Sequence, residues 1–234
     1  MKKQTISVCM ATVLAAAVLA GGAVQAFAAA EPVEDAAPAA VEEENCIAGT
    51  WKRAEAPALT EKVRTLFDRA FDGLEGVAYT PYALLATRTT AAGRQYRVLC
   101  KATGVYPGAQ EEYVVVTLQR SWLGRAEILE IGDPLCQTNL DGEPMPGGWQ
   151  EAESPALTED AAAAFEKATE GFVGVDYVPV ALLSEQVVAG VNYRILCEAT
   201  VVYPGAEMHY AVVSVYVSPE GTANLISVTD GYVS

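Results

Sequence analysis

Imidazole is almost absent from this chain, which has one histidine, His209, in 234 residues. Most hydrolytic triads and most zinc sites are excluded on that ground, because the first need a histidine base and the second usually need several nitrogen or sulfur ligands. His209 itself falls in an alternating strand pattern, where a structural role is expected. Positive charge is scarce too: 15 Lys and Arg stand against 30 Asp and Glu, a formal net charge of −15. That balance argues against nucleic acid and anionic lipid as partners and suits solubility outside a cell. No glycine-rich phosphate loop follows a strand and no metal-ligand spacing appears, so neither cofactor nor metal is expected. No carboxylate pair suited to acid–base work stands out, and the chain reads as a non-enzyme.

Long hydrophobic runs are missing except near the start. Lys2 and Lys3 precede an apolar run from Ile6 to Ala20, followed by Gly21, Gly22 and small residues around Ala26–Ala30. This is a signal-peptide pattern over residues 1–30, too short for a membrane span, and it implies a secreted protein without a membrane anchor after cleavage. Cys9 lies too early for lipoprotein cleavage and is expected to be discarded with the leader. Cleavage would remove two lysines and take the net charge to −17. Residues 31–48, made almost wholly of Ala, Glu, Pro, Val and Asp before Asn45, read as a disordered acidic linker.

What the chain does have is a duplication. Trp51–Leu85 aligns with Trp149–Leu183 at an offset of 98, with 18 of 35 positions identical, including Pro-Ala-Leu-Thr-Glu at Pro57 and Pro155. One residue then drops out. Gly93 matches Gly190, Leu99-Cys100 matches Leu196-Cys197, and Tyr106-Pro107-Gly108-Ala109 matches Tyr203-Pro204-Gly205-Ala206. Units of this size can hold a small core each. The expected boundaries are 49–133 for repeat 1, 134–146 for a linker rich in Pro and Gly, and 147–234 for repeat 2.

Within a unit, Thr158 can cap a helix whose first turn carries Glu159 and Asp160, with Ala161, Phe165 and Ala168 at helical spacing. Thr60, Val63, Phe67 and Ala70 repeat the pattern, and Gly73 and Gly171 supply the stops. Strands are expected over 175–183, 192–202, 208–217 and 223–229. In the second of these, Tyr193, Ile195, Cys197 and Ala199 share one face, expected to meet the helix, while Asn192, Arg194, Leu196 and Glu198 share the other. The expected class is α+β, with a helix across a four- to five-stranded antiparallel sheet in each unit.

The run Gln186-Val187-Val188-Ala189-Gly190 resembles the first hairpin of cystatins, inhibitors of papain-like cysteine proteases. Its setting carries the resemblance further: Gly147 and Gly148 precede the helix, the motif joins two long strands, and Ser218-Pro219-Glu220-Gly221 joins the next two. The resemblance spans 147–230 and, through the repeat, 49–133. It implies two tandem cystatin-like domains in which the leading glycines and the two hairpins form an apolar wedge that blocks a protease cleft. Gly147, Gly148, Gln186, Val187, Val188, Ala189, Gly190 and Pro219 are then the protease-contact candidates. Glu220 stands where the family has a tryptophan. Repeat 1 shows the converse: Thr89-Thr90-Ala91-Ala92-Gly93 departs from the first-hairpin motif, whereas Ser121-Trp122-Leu123-Gly124 supplies a tryptophan on the second. The partner implied is a protein, either a papain-like protease or, in the alternative, another extracellular protein or peptide held without inhibition.

Other readings stand beside these. Small residues and a glycine suit any tight hairpin, and the valines are strand formers. Trp122 marks either a contact surface or a side chain folded back against the linker or the other unit. Trp51 and Trp149 are expected to cover the edge of the core. Cys100 and Cys197 occupy equivalent inward strand positions and read as buried hydrophobes. Cys46 and Cys136 flank repeat 1 without counterparts in repeat 2 and form a candidate disulfide in an exported chain. A bond closing that loop would stabilise by about 4–5 kcal/mol in the chain-entropy model. Unfolded mature protein is therefore expected to titrate two thiols without reductant and four after reduction; four thiols in both samples would remove the bond.

Overall fold

The computed structural model describes residues 49–138 and 147–231; the leader, the acidic segment with Cys46, and the joining residues 139–146 lie outside them. Repeat 1 runs β1 (Lys52–Arg53), α1 (Glu61–Phe71), β2 (Val77–Thr90), β3 (Gly93–Gly104), β4 (Glu111–Ser121), β5 (Ala126–Ile131) and β6 (Cys136–Gln137). Repeat 2 runs β7 (Trp149–Glu151), α2 (Glu159–Thr169), β8 (Val175–Val188), β9 (Gly190–Val201), β10 (His209–Val217) and β11 (Ala223–Gly231). Strands pair in sequence order, β1 through β5 in one antiparallel sheet with β6 added beside β4, and β7 through β11 in the other. Among the described residues no helix is long and apolar enough to cross a membrane.

The helices form where capping and spacing ask for them. The Thr158 hydroxyl accepts a hydrogen bond from the Ala161 N–H at 3.2 Å, and Ala161, Ala164, Phe165 and Ala168 make the buried stripe of α2. Val63, Leu66 and Phe67 do the same for α1. Gly73 and Gly171 follow the helix ends with φ of +80°. Tyr193, Ile195 and Cys197 lie against α2 as the alternation predicts.

The α+β class is overturned. Strands hold 53% of the described residues and the two helices 13%, so this is an antiparallel, sheet-rich protein. The reason lies on the face away from the helices. An 11-residue helix is about 16 Å long and covers only part of one side of a sheet whose longest strands have 14 residues. The opposite sides are also apolar. Ala83, Leu85, Leu99, Tyr113 and Val115 of repeat 1 bury themselves against Ala181, Leu183, Leu196, Tyr210 and Val212 of repeat 2. The two sheets therefore stack face to face in one compact unit, each with its helix on the outside.

Polar contacts fix how they stack. The Tyr82 hydroxyl donates to the Leu182 carbonyl at 2.9 Å and the Tyr113 hydroxyl to the Leu183 carbonyl at 3.3 Å. Arg53, in register with Ala86 and through it with Arg97, pairs with Glu198; Lys101 pairs with Glu151, which is in register with Ser184 and through it with Arg194. Passing from 97 to 101 on β3 thus corresponds to passing from 198 to 194 on β9. The sheets run head to tail, related by an approximate twofold. Leu135 and β6, at the start of the segment read as linker, seal one flank: Leu135 is buried, its N–H donates to the Tyr113 carbonyl, and the Gln137 carbonyl accepts from Arg194 at 3.4 Å.

A substitution on the inner face tests this layer. Leu196 touches no helix and would sit in water if the sheets were separate, yet it is fully buried. Leu196→Ala is expected to cost about 2–5 kcal/mol in urea unfolding, as for other buried leucines; a cost under about 0.5 kcal/mol, the range of surface changes, would separate the sheets.

Candidate functional site

In repeat 2 the wedge candidates gather at one end of the sheet, because the topology sends three segments there. Trp149 pairs with Gln186 across β7 and β8, Val188 pairs with Gly190 around the first hairpin, and Val217 pairs with Val191 so that the second hairpin lies alongside. Gln186 ties them: its amide nitrogen donates to the Gly147 carbonyl at 2.7 Å, and its oxygen accepts from the Asn192 amide at 2.7 Å. The side chain is thus engaged within the rim rather than held free for a partner. The Tyr216 hydroxyl donates to the Ala189 carbonyl at 2.6 Å and clamps the second hairpin to the first. Tyr216 was not singled out in the sequence, and Asn192 was placed there only on a strand face, not at the rim. They face each other across β10 and β9, a pairing that only the register reveals.

The surface offered is apolar at the first hairpin. Val187 is 65% and Val188 43% exposed, with Ala189 beside them. Pro219 is exposed on the second hairpin, where Glu220 follows. The Ser218 hydroxyl and a backbone N–H hold the Glu220 carboxyl below its usual range, so this corner is anionic. Gly147 is exposed and Gly148 half-buried at the entry to β7. Gly190 has no substitute: its φ is +116°, and a Cβ there would stand 2.2 Å from the Val217 carbonyl oxygen.

Repeat 1 assembles an equivalent rim from different residues. Ala91 and Ala92 turn the first hairpin between Thr90 and Gly93, and the Trp122 indole N–H donates to the Ala91 carbonyl at 2.9 Å. Trp122 therefore ties the two hairpins together while remaining 67% exposed, and Leu123 beside it is 90% exposed. The indole bond is to the first hairpin of repeat 1 itself, not to the linker or to repeat 2.

The remaining candidates take structural places. Trp51 is flanked by the Arg88 and Arg97 guanidinium groups at 4.4 and 4.5 Å, and Trp149 by Arg194 at 4.0 Å. Cys100 and Cys197 are buried, and burial pushes both thiols well above their usual range, away from the thiolate form. Cys136 is half-buried on β6 with its thiol pushed up to about 11, chiefly by burial. Its candidate partner Cys46 lies outside the described residues. His209 approaches Asp230 at 3.4 Å across β10 and β11. Among the described residues no group of three or more His, Cys, Asp or Glu is arranged to hold a metal ion.

Compared with known proteins, no protein-family model matches the chain and no curated protein matches it in sequence. Gly190→Ala is expected to lower stability by more than about 1 kcal/mol in urea titration, since both the backbone region and the Val217 carbonyl oppose a side chain. An unchanged midpoint would mean that the hairpins are not packed against each other in this way.

Proposed function

We propose that the chain is a non-catalytic, secreted protein-binding module whose repeat 2 rim inhibits papain-like cysteine proteases. The observation that supports this reading is convergence: the leading segment at Gly147–Trp149, the first hairpin at Val187–Gly190 and the second at Ser218–Gly221 meet at one end of a single sheet. An apolar ridge carried on backbone hairpins can fill a cleft without presenting a bond for hydrolysis, and its rigidity limits the entropy lost on binding. The hydrogen bonds made by Gln186 and Tyr216 supply that rigidity. Val187 and Val188 are the anchors, and the charge of Glu220 on the flanking hairpin sets a limit on affinity.

A second reading has its own support. Trp122 and Leu123 are the large apolar residues at the repeat 1 rim, and such a pair on a hairpin tip favours a protein contact that is not protease inhibition. One experiment separates the two. Mature protein is titrated against papain and a cathepsin, beside a Val187→Asp/Val188→Asp chain and a Trp122→Ala/Leu123→Ala chain. Inhibition that falls at least about tenfold with the valine changes and stays with the others is expected. Loss confined to the second chain would move the function to repeat 1, and proteases left fully active at micromolar protein would end the inhibitor reading.

A further inference from the structure

We propose that the inner face of each repeat is a recognition surface specific for the other repeat and closed to its own kind. A second copy of the chain can then be accepted through this face only as repeat 1 on repeat 2. Three aliphatic pairs in the contact cannot make that distinction. Leu85, Leu99 and Val115 are matched by Leu183, Leu196 and Val212 at equivalent positions, and all six are buried in the shared layer. Surfaces carrying these aliphatic residues alone would associate with themselves as readily as with each other.

The charged positions break the equivalence. Arg53 has Glu151 as its counterpart at the offset of 98, and Lys101 has Glu198 at the offset of 97. In the folded chain each base meets an acid: Arg53 Nε lies 2.9 Å from the Glu198 carboxylate, and Lys101 pairs with Glu151. The approximate twofold makes these two pairs the same contact with the signs exchanged. Stacking repeat 1 on a second repeat 1 in this geometry would set Arg53 against Lys101 twice. Stacking repeat 2 on repeat 2 would set Glu151 against Glu198 twice. Glu198 and Lys101 are each 13% exposed in their side chains while Arg53 and Glu151 are 42% and 45% exposed, so water screens these contacts only in part, and like charges there disfavour the wrong pairing.

A steric feature points the same way. Leu135 lies over Gly231 so closely that a Cβ on that glycine would stand 1.8 Å from Leu135 Cδ2. This knob from repeat 1 fits a gap in repeat 2. The inference does not depend on any protease, because it concerns only how the repeats choose each other.

The test uses the whole chain, folded first and then cut at a protease site placed within 139–146, with native mass spectrometry and dilution reading the association of the halves. The cut wild type is expected to remain a 1:1 pair of unlike halves. Arg53→Glu/Lys101→Glu, and separately Glu151→Lys/Glu198→Arg, are expected to weaken that pair at least about tenfold. All four changes together restore it to within about threefold if the charges act as two independent pairs. Circular dichroism of the uncut chains checks folding; where a double variant fails to fold, recovery of fold in the fourfold variant supports the proposal and its failure to recover overturns it. Like halves pairing with like in the cut wild type, separation of its halves at micromolar concentration, or a fourfold variant no tighter than the doubles would each overturn it.

Discussion

Each sheet in this protein has two apolar faces and only one helix, and the rest of the architecture follows from that shortage. The outer face is satisfied within the repeat, by Val63, Leu66 and Phe67 on α1 or by the alanines and Phe165 on α2. The inner face has no local cover. A sheet side carrying Leu85, Leu99 and Val115 would leave a broad apolar patch in water, and burial at about 25 cal/mol per Å² is a strong incentive to cover it. The duplicate supplies the cover, because a copy of the same surface has the same spacing of strands and side chains. Duplication thus gives the fold its missing layer as well as a second rim.

The inner layer also governs what remains free. Because the sheets meet through their faces, the hairpin ends are left outside the contact, and each rim is free to diverge. Repeat 2 keeps valines and a glutamine that is hydrogen-bonded within its own rim; repeat 1 keeps a tryptophan that does the tying and is exposed as well. Two different side chains, Tyr216 and Trp122, solve the same problem of holding the second hairpin to a carbonyl of the first. Rigidity is conserved between the copies although the chemistry of the surface is not.

How much of this could be read in the sequence depends on the range of each interaction. The duplication, the cap at Thr158, the glycine stops and the alternation along 192–199 are local patterns, and they match the elements observed, whereas Thr60 precedes α1 without a side-chain capping bond. The sheet-on-sheet layer was less legible. Ala83-Leu84-Leu85-Ala86 is a continuous apolar run, the mark of a strand buried on both sides, but four residues long and therefore easy to take for one face plus turnover. The pairing of Arg53 with Glu198 spans 145 positions and leaves no periodic trace. β6 was hidden by the prolines and glycines that follow it. At the rim, Gln186 was visible as a residue, whereas its hydrogen bond to the Gly147 carbonyl, 39 positions away, was not.

The head-to-tail stacking has a geometric consequence for the rims. A row close to the hairpin end of one sheet, that of Arg53 and Arg97, meets Glu198 near the opposite end of the other, so the two hairpin edges face away from each other. The paired repeats carry a different tip at each of two opposite ends. They cannot close on one target like a pincer, and both tips can be occupied at once only by separate molecules, or by two sites on one assembly that look toward each other across its length.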